Sequence, residues 1–474
     1  MTGAAFFDLD RTLLARASGE AFSNAMRIAG MAPRRVPGEG LLYRLFNTVG
    51  ETLPSMALAR QAVVWAKGKP RDSVVKVAEA AADELFAQVQ PFAHLVIAEH
   101  KNHGRPVVLA TTSPYDLVKP FADRLGLDDV IATKYGVNDD GTYDGSLVGS
   151  FVWSAGKLTA VREWADAHDI DLAESYAYSD SVYDSPLLGA VGNPMVVNPD
   201  PRMVFMAAAR RWPVINLDVA KGVRKVPFLG IELQKVLLQF ARPEMFPYAR
   251  FDIDGIDNIP AIGAAILVAN HRSYFDISAL ALTVARTGRT VRSLGKKEVF
   301  DAPVVGFLSK MAGGIRVNRA SGSSEPLEHA IRALRAGEAV AVAPEGTIPR
   351  GPAFFRTELK GRWGAARLAQ ATHAPVIPVG LWGTEHVWPR NARLPRFDLQ
   401  ERPVVRVRVG TPVELKYRSL DADTKRIMSA LVDQLPSEAR VERTPTTEEL
   451  LATYPPGYRG DPTREDDRRP GVDT

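Results

Sequence analysis

Short apolar runs that end in polar residues alternate along the chain with longer stretches in which apolar residues recur at helical spacing. The short runs predict buried strands, and the longer stretches predict helices such as Leu327–Ala336 and Trp363–Ala371. Alternation of this kind predicts a mostly parallel sheet covered by helices. In the second half of the chain the predicted strands are Ala264–Asn270, Val291–Gly295, Ala339–Pro344, Val376–Leu381 and Val404–Val409.

The length of the chain predicts more than one domain. Its 474 residues exceed one ordinary hydrophobic core and indicate roughly two to four domains. We place one domain at residues 1–218 and a second at 219–448. Residues 15–95 are rich in Ala, Leu, Val and Glu at helical spacing, which predicts an inserted helical segment. Residues 449–474 are polar and rich in Pro and Arg, which predicts a disordered tail.

Two carboxylates follow the first predicted strand. Residues 4–14 read A-A-F-F-D-L-D-R-T-L-L, so the strand ends at Asp8 and Asp10. Side chains alternate along a strand, so these two start on the same side. Two carboxylates held together there are costly without a cation, and Mg²⁺ prefers oxygen ligands. The D-x-D pattern by itself is weak, because many turns contain it.

Three later segments extend this pattern. Arg105–Ser113 is a predicted strand that ends in hydroxyl residues including Thr111; Lys157 begins a helical run, and Asp180 ends another strand four residues before Asp184. In this order the segments resemble the haloacid dehalogenase superfamily of phosphatases, in the subgroup that contains phosphoserine phosphatase. The resemblance covers about the first 210 residues and implies a Rossmann-like α/β domain with the helical segment as a cap.

The resemblance also implies a role for each residue. Asp8 would be the nucleophile that takes the phosphoryl group, and Asp10 the general acid and then the base. Thr111 and Lys157 would neutralise charge on the transferring phosphoryl oxygens. The implied Mg²⁺ ligands are Asp8, Asp10 and Asp180. Taken singly, Lys157 would be interpreted as a solvated helix lysine.

The second candidate site begins at the segment V-A-N-H-R-S-Y-F-D, residues 268–276, where an apolar run gives way to a helical pattern. His271 and Asp276 form H-x-x-x-x-D. A neutral imidazole can take a proton from an alcohol while a carboxylate holds its tautomer. No strong nucleophile accompanies the pair, so the alcohol would belong to the substrate. Alternatively, Ser273 and Asp276 form S-x-x-D, and Asp276 caps the helix.

Three downstream blocks favour the catalytic interpretation. They are Gly313–Arg319, Ala343–Thr347 and Ala374–Val379, reading G-G-I-R-V-N-R, A-P-E-G-T and A-P-V-I-P-V. The four blocks in this order resemble the 1-acylglycerol-3-phosphate acyltransferase family, with an α/β acyltransferase domain. Members often carry Arg directly after E-G-T, whereas here Ile348 and Pro349 precede Arg350.

That resemblance implies how the site works. His271 would be the base that activates the substrate hydroxyl toward an acyl thioester, and Asp276 would orient it. An Arg fork matches phosphate oxygens, and Gly lets backbone N–H groups approach an anion. The residues implied to hold the glycerol phosphate are Arg319, Glu345, Gly346 and Thr347.

The amino-acid composition limits which chemistries and binding partners the chain can have. The absence of Cys excludes disulfides, thiolate catalysis and Cys-bound zinc. A net charge of +4 favours anionic partners. Basic residues are not interleaved with aromatics, so nucleic acid is not expected. No signal peptide or spanning apolar run is visible, which predicts a cytoplasmic protein peripheral on the cell membrane.

One segment could reach a membrane surface. Val226–Ala241 is strongly apolar within a basic stretch, with Phe228 and Phe240 among its aromatic residues. A basic amphipathic helix can lie in a membrane interface. It can equally pack against a neighbouring domain, and the sequence leaves both open.

Together these features predict a bifunctional enzyme with one active site in each domain. The second domain would acylate lysophosphatidate from acyl-CoA or an acyl carrier protein, giving phosphatidate, and the first would hydrolyse a phosphomonoester with Mg²⁺. The alternative is a phosphatase whose acyltransferase-like domain only binds lipid. A third possibility, a non-enzymatic scaffold, leaves both constellations unexplained.

Overall fold

The computed structural model describes residues 2–32, 51–220, 223, 225, 232–296, 313–317 and 325–464. The chain divides into two compact units, Met1–Val219 and Ala220–Thr474. Within these residues, each unit contains one seven-stranded sheet.

The sheet of the first unit has the strand order β4-β3-β2-β1-β5-β6-β7. All described pairings are parallel except β3 with β4. The central strand reads A-F-F and is fully buried, as a continuous apolar run predicts for a strand with neighbours on both sides. The strands are β1 Ala5–Phe7, β2 Val107–Pro114, β3 Asp129–Val137, β4 Tyr143–Val148, β5 Tyr176–Ser179, β6 Asn193–Val197 and β7 Val214–Ile215.

Helices join these strands and occupy the described part of residues 15–95, the segment predicted to be the cap. Residues 33–50 of that segment lie outside the described part. The helices are α1 Gly19–Ile28, α2 Leu53–Ala66, α3 Arg71–Ala87, α4 Ala93–Asn102, α5 Tyr115–Leu125, α6 Ala155–Ala167, α7 Ser185–Leu188 and α8 Pro201–Arg210.

The second sheet has the order β11-β10-β12-β9-β13-β14-β8, and of its described pairings only that of β13 with β14 is antiparallel. Its central strand, β9, is buried along its whole length. The strands are β8 Arg250–Asp254, β9 Ala265–Ala269, β10 Val291–Lys296, β11 Ile315–Val317, β12 Ala339–Val342, β13 Val376–Trp382 and β14 Val404–Val409. Five of these coincide with the predicted strands, and the mixed α/β fold predicted for both halves is confirmed.

Helices cover both faces of this sheet. Leu267 of β9 packs with Ala279 on one face, while Ile266 packs with Ala330 and Leu368 on the other. Successive side chains of a strand point to opposite faces, so β9 contributes to both cores. The helices are α9 Leu233–Leu237, α10 Asp276–Ala285, α11 Glu325–Arg335, α12 Gly364–Thr372, α13 Thr384–Val387, α14 Leu420–Asp433 and α15 Thr447–Ala452.

The predicted disordered tail is wrong for residues 449–464. Helix α15 begins with a capping box at Thr446, and Tyr454 is fully buried and stacked on Tyr458. Thr453 Oγ1 accepts a hydrogen bond from the Gly351 N–H at 2.7 Å. The polar composition of this segment predicted disorder, but the buried ring of Tyr454 and the Tyr458 ring stacked on it anchor the segment.

Two candidate active sites

The first site lies at the carboxyl ends of three neighbouring strands. β1 pairs with β2 and β5 in parallel, so the residues that follow these strands meet at one edge of the sheet. Asp8 follows β1, Thr111 lies near the end of β2 and Asp180 follows β5. Lys157 reaches the same edge from the first turn of α6.

Lys157 is the centre of this site. Its Nζ lies 2.9 Å from Asp8 Oδ1 and 2.7 Å from Asp184 Oδ2, and its side chain is 1% exposed. Burial alone would lower the pKa of Lys157, but Asp184 and Asp8 outweigh burial and raise it. The lysine is therefore a fixed positive charge beside Asp8, not the solvated helix residue that a single-residue interpretation predicts.

The site holds more negative than positive charge. Burial raises the pKa of Asp8 well above its usual range, with Lys157 opposing, and burial also raises the pKa of Asp10. The pKa of Asp180 rises to about 7, chiefly through burial. One oxygen of Asp184, Oδ1, is buried without a hydrogen-bond partner. Carboxylates in this condition favour a cation or a proton.

The turn after β1 shapes the nucleophile region. Arg11 adopts a positive φ of 62°, which doubles the chain back so that Asp10 Oδ1 accepts the Ser18 N–H at 2.6 Å. Arg11 Nε lies 3.3 Å from Asp180 Oδ2. Thr111 is buried, and its hydroxyl accepts the Ser113 N–H at 3.2 Å.

Sequence reasoning missed Glu51. Its Oε2 accepts hydrogen bonds from Ser181 Oγ at 2.9 Å and Trp153 Nε1 at 3.2 Å. Burial, and next the Asp184 charge, raise the pKa of Glu51. Nothing in the sequence marks this residue, because it lies 43 positions after Asp8 and carries no motif.

The second site lies in the loop between β9 and α10. His271 Nδ1 is 2.7 Å from Asp276 Oδ2, which also accepts the N–H groups of Arg272 and Ser273 at 2.7 and 2.8 Å. Because a carboxylate only accepts hydrogen bonds, Nδ1 must carry the proton, which leaves Nε2 as the basic nitrogen. Asp276 thus serves the loop backbone and the imidazole together.

Two further residues, Thr384 and Glu345, hold this pair in place. Thr384 Oγ1 donates to Asp276 Oδ1 at 2.6 Å, and both residues are buried. Glu345 Oε2 accepts the His271 N–H at 2.6 Å, so the E-G-T glutamate orients the histidine loop. Gly346 has φ of +72°, which glycine tolerates best. Thr384 lies outside the four blocks, so their resemblance did not indicate it.

Arg272, which follows His271, is committed to structure. Its guanidinium carbon lies 4.1 Å from the ring centres of Phe354 and of Trp382, and its Nη2 lies 2.7 Å from Glu385 Oε1. These contacts hold the loop that carries His271 in place. Arg319, predicted to hold the phosphate, lies outside the described residues. Ser273 is not a nucleophile candidate, because it is fully buried and donates to the Trp388 carbonyl.

Comparison with known proteins finds a matching family for part of each unit. The family model for haloacid dehalogenase-like hydrolases matches residues 5–189, and that for the acyltransferase family matches residues 250–382. The chain therefore belongs to the haloacid dehalogenase-like hydrolases through its first unit and carries an acyltransferase-family domain in its second. It is an enzyme with a phosphatase-type and an acyltransferase-type domain.

Individual relatives are similar over about half of the chain. The inhibition of morphological differentiation protein of Streptomyces azureus is 34% identical over 245 residues, covering 50% of this chain and 87% of that protein. A probable phosphatase of Mycobacterium tuberculosis is 36% identical over 227 residues, covering 47% and 77%. The solved 1-acyl-sn-glycerophosphate acyltransferase of Thermotoga maritima is 25% identical, with a TM-score of 0.32, covering 42% of this chain and 80% of that one.

Proposed function

We propose that the second unit transfers an acyl chain from acyl-CoA, or from an acyl carrier protein, to the free hydroxyl of 1-acylglycerol-3-phosphate, giving phosphatidate. The first unit hydrolyses a phosphomonoester with Mg²⁺. The observation that supports acyl transfer best is the 2.7 Å contact between His271 Nδ1 and Asp276 Oδ2, since lipid binding alone needs no oriented base.

In the acyl transfer, His271 Nε2 takes the proton of the acceptor hydroxyl as its oxygen attacks the thioester carbonyl carbon. Asp276 stabilises the imidazolium that forms. The carbon–sulfur bond then breaks, and the thiol leaves with the proton returned by His271. A thiolate is a good leaving group, so no covalent intermediate with the enzyme is required.

In the phosphatase reaction, one oxygen of Asp8 attacks phosphorus and forms an aspartyl phosphate while the ester oxygen leaves. Asp10 gives that oxygen a proton and later takes one from the water that hydrolyses the intermediate. The raised pKa of Asp10, caused by burial, suits it to begin as an acid. Lys157 supports the attack by holding Asp8 in place.

The residues at this edge of the sheet suit Mg²⁺ chemically. Asp8, Asp10 and Asp180 supply oxygen donors, and their raised pKa values arise from burial that a cation would offset. Bound there, Mg²⁺ would neutralise charge on the phosphoryl group. In the ranges that the structure describes, no three such side chains already converge on one point, and Asp180 is paired with Arg11.

We further propose that the enzyme works at an anionic membrane surface as a peripheral protein. Leu237 ends α9 and Phe240 lies in the turn that follows; they are 40% and 59% exposed, and Lys235 and Arg242 flank them. Phe228 lies outside the described residues. No helix in the described ranges is long and apolar enough to cross a bilayer. The substitutions Leu237→Asp plus Phe240→Asp should abolish flotation with anionic liposomes, whereas Ile262→Asp on an exposed loop should not.

The second candidate is a phosphatase whose acyltransferase-like unit only binds lipid. Release of thiol from acyl-CoA in the presence of 1-acylglycerol-3-phosphate separates the two. Under the first proposal His271→Ala abolishes thiol release and spares phosphatase activity, and Asp8→Asn does the reverse. Loss of both activities in either variant would contradict two independent sites, and no thiol release from the wild type would favour the alternative.

A further inference from the structure

A cavity in the first unit is lined by residues of helices α1 and α2 and of strands β3 and β4. Its volume is about 320 Å³, and most of the side chains that line it are apolar or aromatic. The helices contribute Met26, Ala62 and Ala66, and the strands contribute Tyr135 and Tyr143. Concave sites of this size with a mostly apolar lining are typical of small-molecule binding.

The charged side chains in the described wall of this cavity already have protein partners. Asp116 accepts a hydrogen bond from the Tyr143 hydroxyl at 2.8 Å and pairs with Arg71 at 2.7 Å. Lys69 Nζ donates to the Met31 carbonyl at 3.4 Å. The cavity therefore offers a ligand mainly apolar surface. Because removing apolar surface from water is favourable, the occupant that matches it best is a hydrocarbon group.

Two connections join the cavity to the phosphatase-type site of the same unit. The hydroxyl of Thr133, in the cavity wall, donates to the Thr112 carbonyl at 2.8 Å, and Thr112 is the neighbour of Thr111 in the site. Glu51, just before α2, accepts a hydrogen bond from Ser181 Oγ at 2.9 Å. Helix α2 therefore begins at the site, and its last two turns line the cavity.

The dimensions of the unit favour a long occupant. A helix rises about 1.5 Å per residue, so roughly 14–20 Å separate Leu53, at the start of α2, from Ala62 and Ala66. Along β2, Pro114 of the cavity wall lies about 10 Å beyond Thr111. A phosphate held at the site and a group held in the cavity therefore belong to one molecule only if that molecule is long, as a fatty chain is.

The helix beside the cavity also has an apolar outer surface. Trp65 lines the cavity and is 63% exposed. Leu58, two turns earlier and thus on the same face, is 42% exposed, and Val64 is 59% exposed. Exposed apolar patches mark contact with a lipid or protein surface. Beside a cavity suited to a hydrocarbon chain, this patch favours a substrate that comes from a lipid surface.

We propose that the first unit hydrolyses a lipid phosphomonoester, with the phosphate at Asp8 and the fatty chain in this cavity. The inference rests on the phosphatase activity proposed above and names its substrate class. With 1-acylglycerol-3-phosphate the products are 1-acylglycerol and inorganic phosphate. Water supplies the oxygen that replaces the ester oxygen on phosphorus and the proton that the released alcohol carries.

The test compares substrates that differ only in the chain. Release of inorganic phosphate by the full-length enzyme is measured with Mg²⁺ from 1-decanoylglycerol-3-phosphate and from glycerol 3-phosphate, without acyl-CoA, so that the second unit has no acyl donor. The kcat/KM should be at least about tenfold higher for the substrate with the chain, since the burial of two methylene groups already gives about that factor. Decyl phosphate, which carries a chain without glycerol, should share this advantage.

Filling the cavity should remove the preference for the chain. Ala66→Phe places a ring in the wall and should lower the ratio of the two kcat/KM values to about one. Ala57→Phe makes the same change on the exposed, opposite side of α2 and should keep the wild-type ratio. If Ala66→Phe lowers the melting temperature strongly, Ala62→Phe, one turn earlier, decides, and if both do, the comparison of chains in the wild type decides.

Two results would overturn the inference and leave the phosphatase activity standing. A wild type that hydrolyses glycerol 3-phosphate as well as its acylated form has no chain site. An equal fall of the ratio in Ala66→Phe and Ala57→Phe, or no fall in either, would place the chain outside the cavity.

Failure of the proposed phosphatase function is distinguishable, because p-nitrophenyl phosphate reports the chemistry without a chain. If the wild type releases phosphate from neither this compound nor the lipid, calorimetric titration with decyl phosphate replaces the kinetic readout. Binding to the wild type that is lost in Ala66→Phe and kept in Ala57→Phe would support the chain site without the hydrolysis. Absence of binding to the wild type would reject the site.

Discussion

Replacing Asp276 with Asn gives a graded test of the histidine site. Asp276 Oδ2 accepts two backbone N–H groups as well as His271 Nδ1. An Asn side chain must therefore turn its carbonyl oxygen to this position and its amide toward the Thr384 hydroxyl, which can accept from it. The imidazole keeps the same tautomer, and Nε2 remains the base. The negative charge is lost, and the hydrogen bond with Thr384 reverses its direction.

The size of the loss follows from that charge. A carboxylate and an imidazolium about 4 Å apart attract each other by about 4 kcal/mol at an effective dielectric constant near 20. Removing this attraction should slow the transfer about 10³-fold at most, since each ~1.4 kcal/mol is a factor of ten. Asp276→Ala should be slower still, because the backbone N–H groups and the imidazole lose their acceptor.

The assay is steady-state thiol release at saturating acyl-CoA, with folding checked by circular dichroism. We expect the activity to fall in the order wild type, Asp276→Asn, Asp276→Ala, His271→Ala. Thr384→Val, which removes one hydrogen bond to a buried carboxylate, should cost about 1–3 kcal/mol of stability. An Asp276→Asn variant as active as the wild type would refute the catalytic interpretation and leave Asp276 a structural residue. One as inactive as His271→Ala would refute the retained tautomer.

The remaining expectations concern other buried groups. Lys157→Met leaves Asp8 and Asp184 facing each other and should lower the unfolding free energy by about 3–5 kcal/mol and abolish phosphatase activity. Denaturant unfolding and a phosphatase assay measure the two effects. Unchanged stability or an intact phosphatase rate would contradict this prediction. Burial lowers the pKa of His100 to about 4 from 6.5. The neutral, buried imidazole therefore makes its full contribution to stability above pH 6.5, and about 3 kcal/mol of unfolding free energy is lost as the pH falls toward 4. The difference in unfolding free energy between the wild type and His100→Gln should therefore shrink or reverse as the pH falls from 6.5 to 4. An NMR titration that gave the His100 imidazole in the folded protein a pKa near 6.5 would contradict this prediction. Tyr454→Ala should cost about 3–5 kcal/mol and reduce acyl transfer while sparing the phosphatase, and equal loss of both activities would argue against it.

The sequence predicted the parts of the fold that repeat a strong local pattern. Central strands such as Ala265–Ala269 are short, continuous apolar runs, a pattern typical of a strand that is buried on both faces. The edge strand Arg250–Asp254 was missed, because its alternating polar residues match an exposed loop as well as a half-buried strand. The helix predicted over Val226–Ala241 is present only as Leu233–Leu237 and a following turn within the described part.

The candidate sites divide in the same way. Residues that stand within motifs, such as His271 and Lys157, could be proposed from their order along the chain. Glu51 and Thr384 could not, because their proximity to the motifs arises only from folding. Their side-chain partners lie 102 or more positions away in the chain, and no short-range spacing encodes such contacts.

The contact between Gly351 and Thr453 joins residues 102 positions apart in the chain. A ribosome that has just finished the E-G-T segment still has to add about a fifth of the polypeptide before this loop can close. The phosphatase-type unit, by contrast, has all its described strands available by residue 215. A nascent chain could therefore hydrolyse phosphate esters well before its acyltransferase-type half matures, and fusing a bulky partner close behind Thr453 should disturb the later activity selectively.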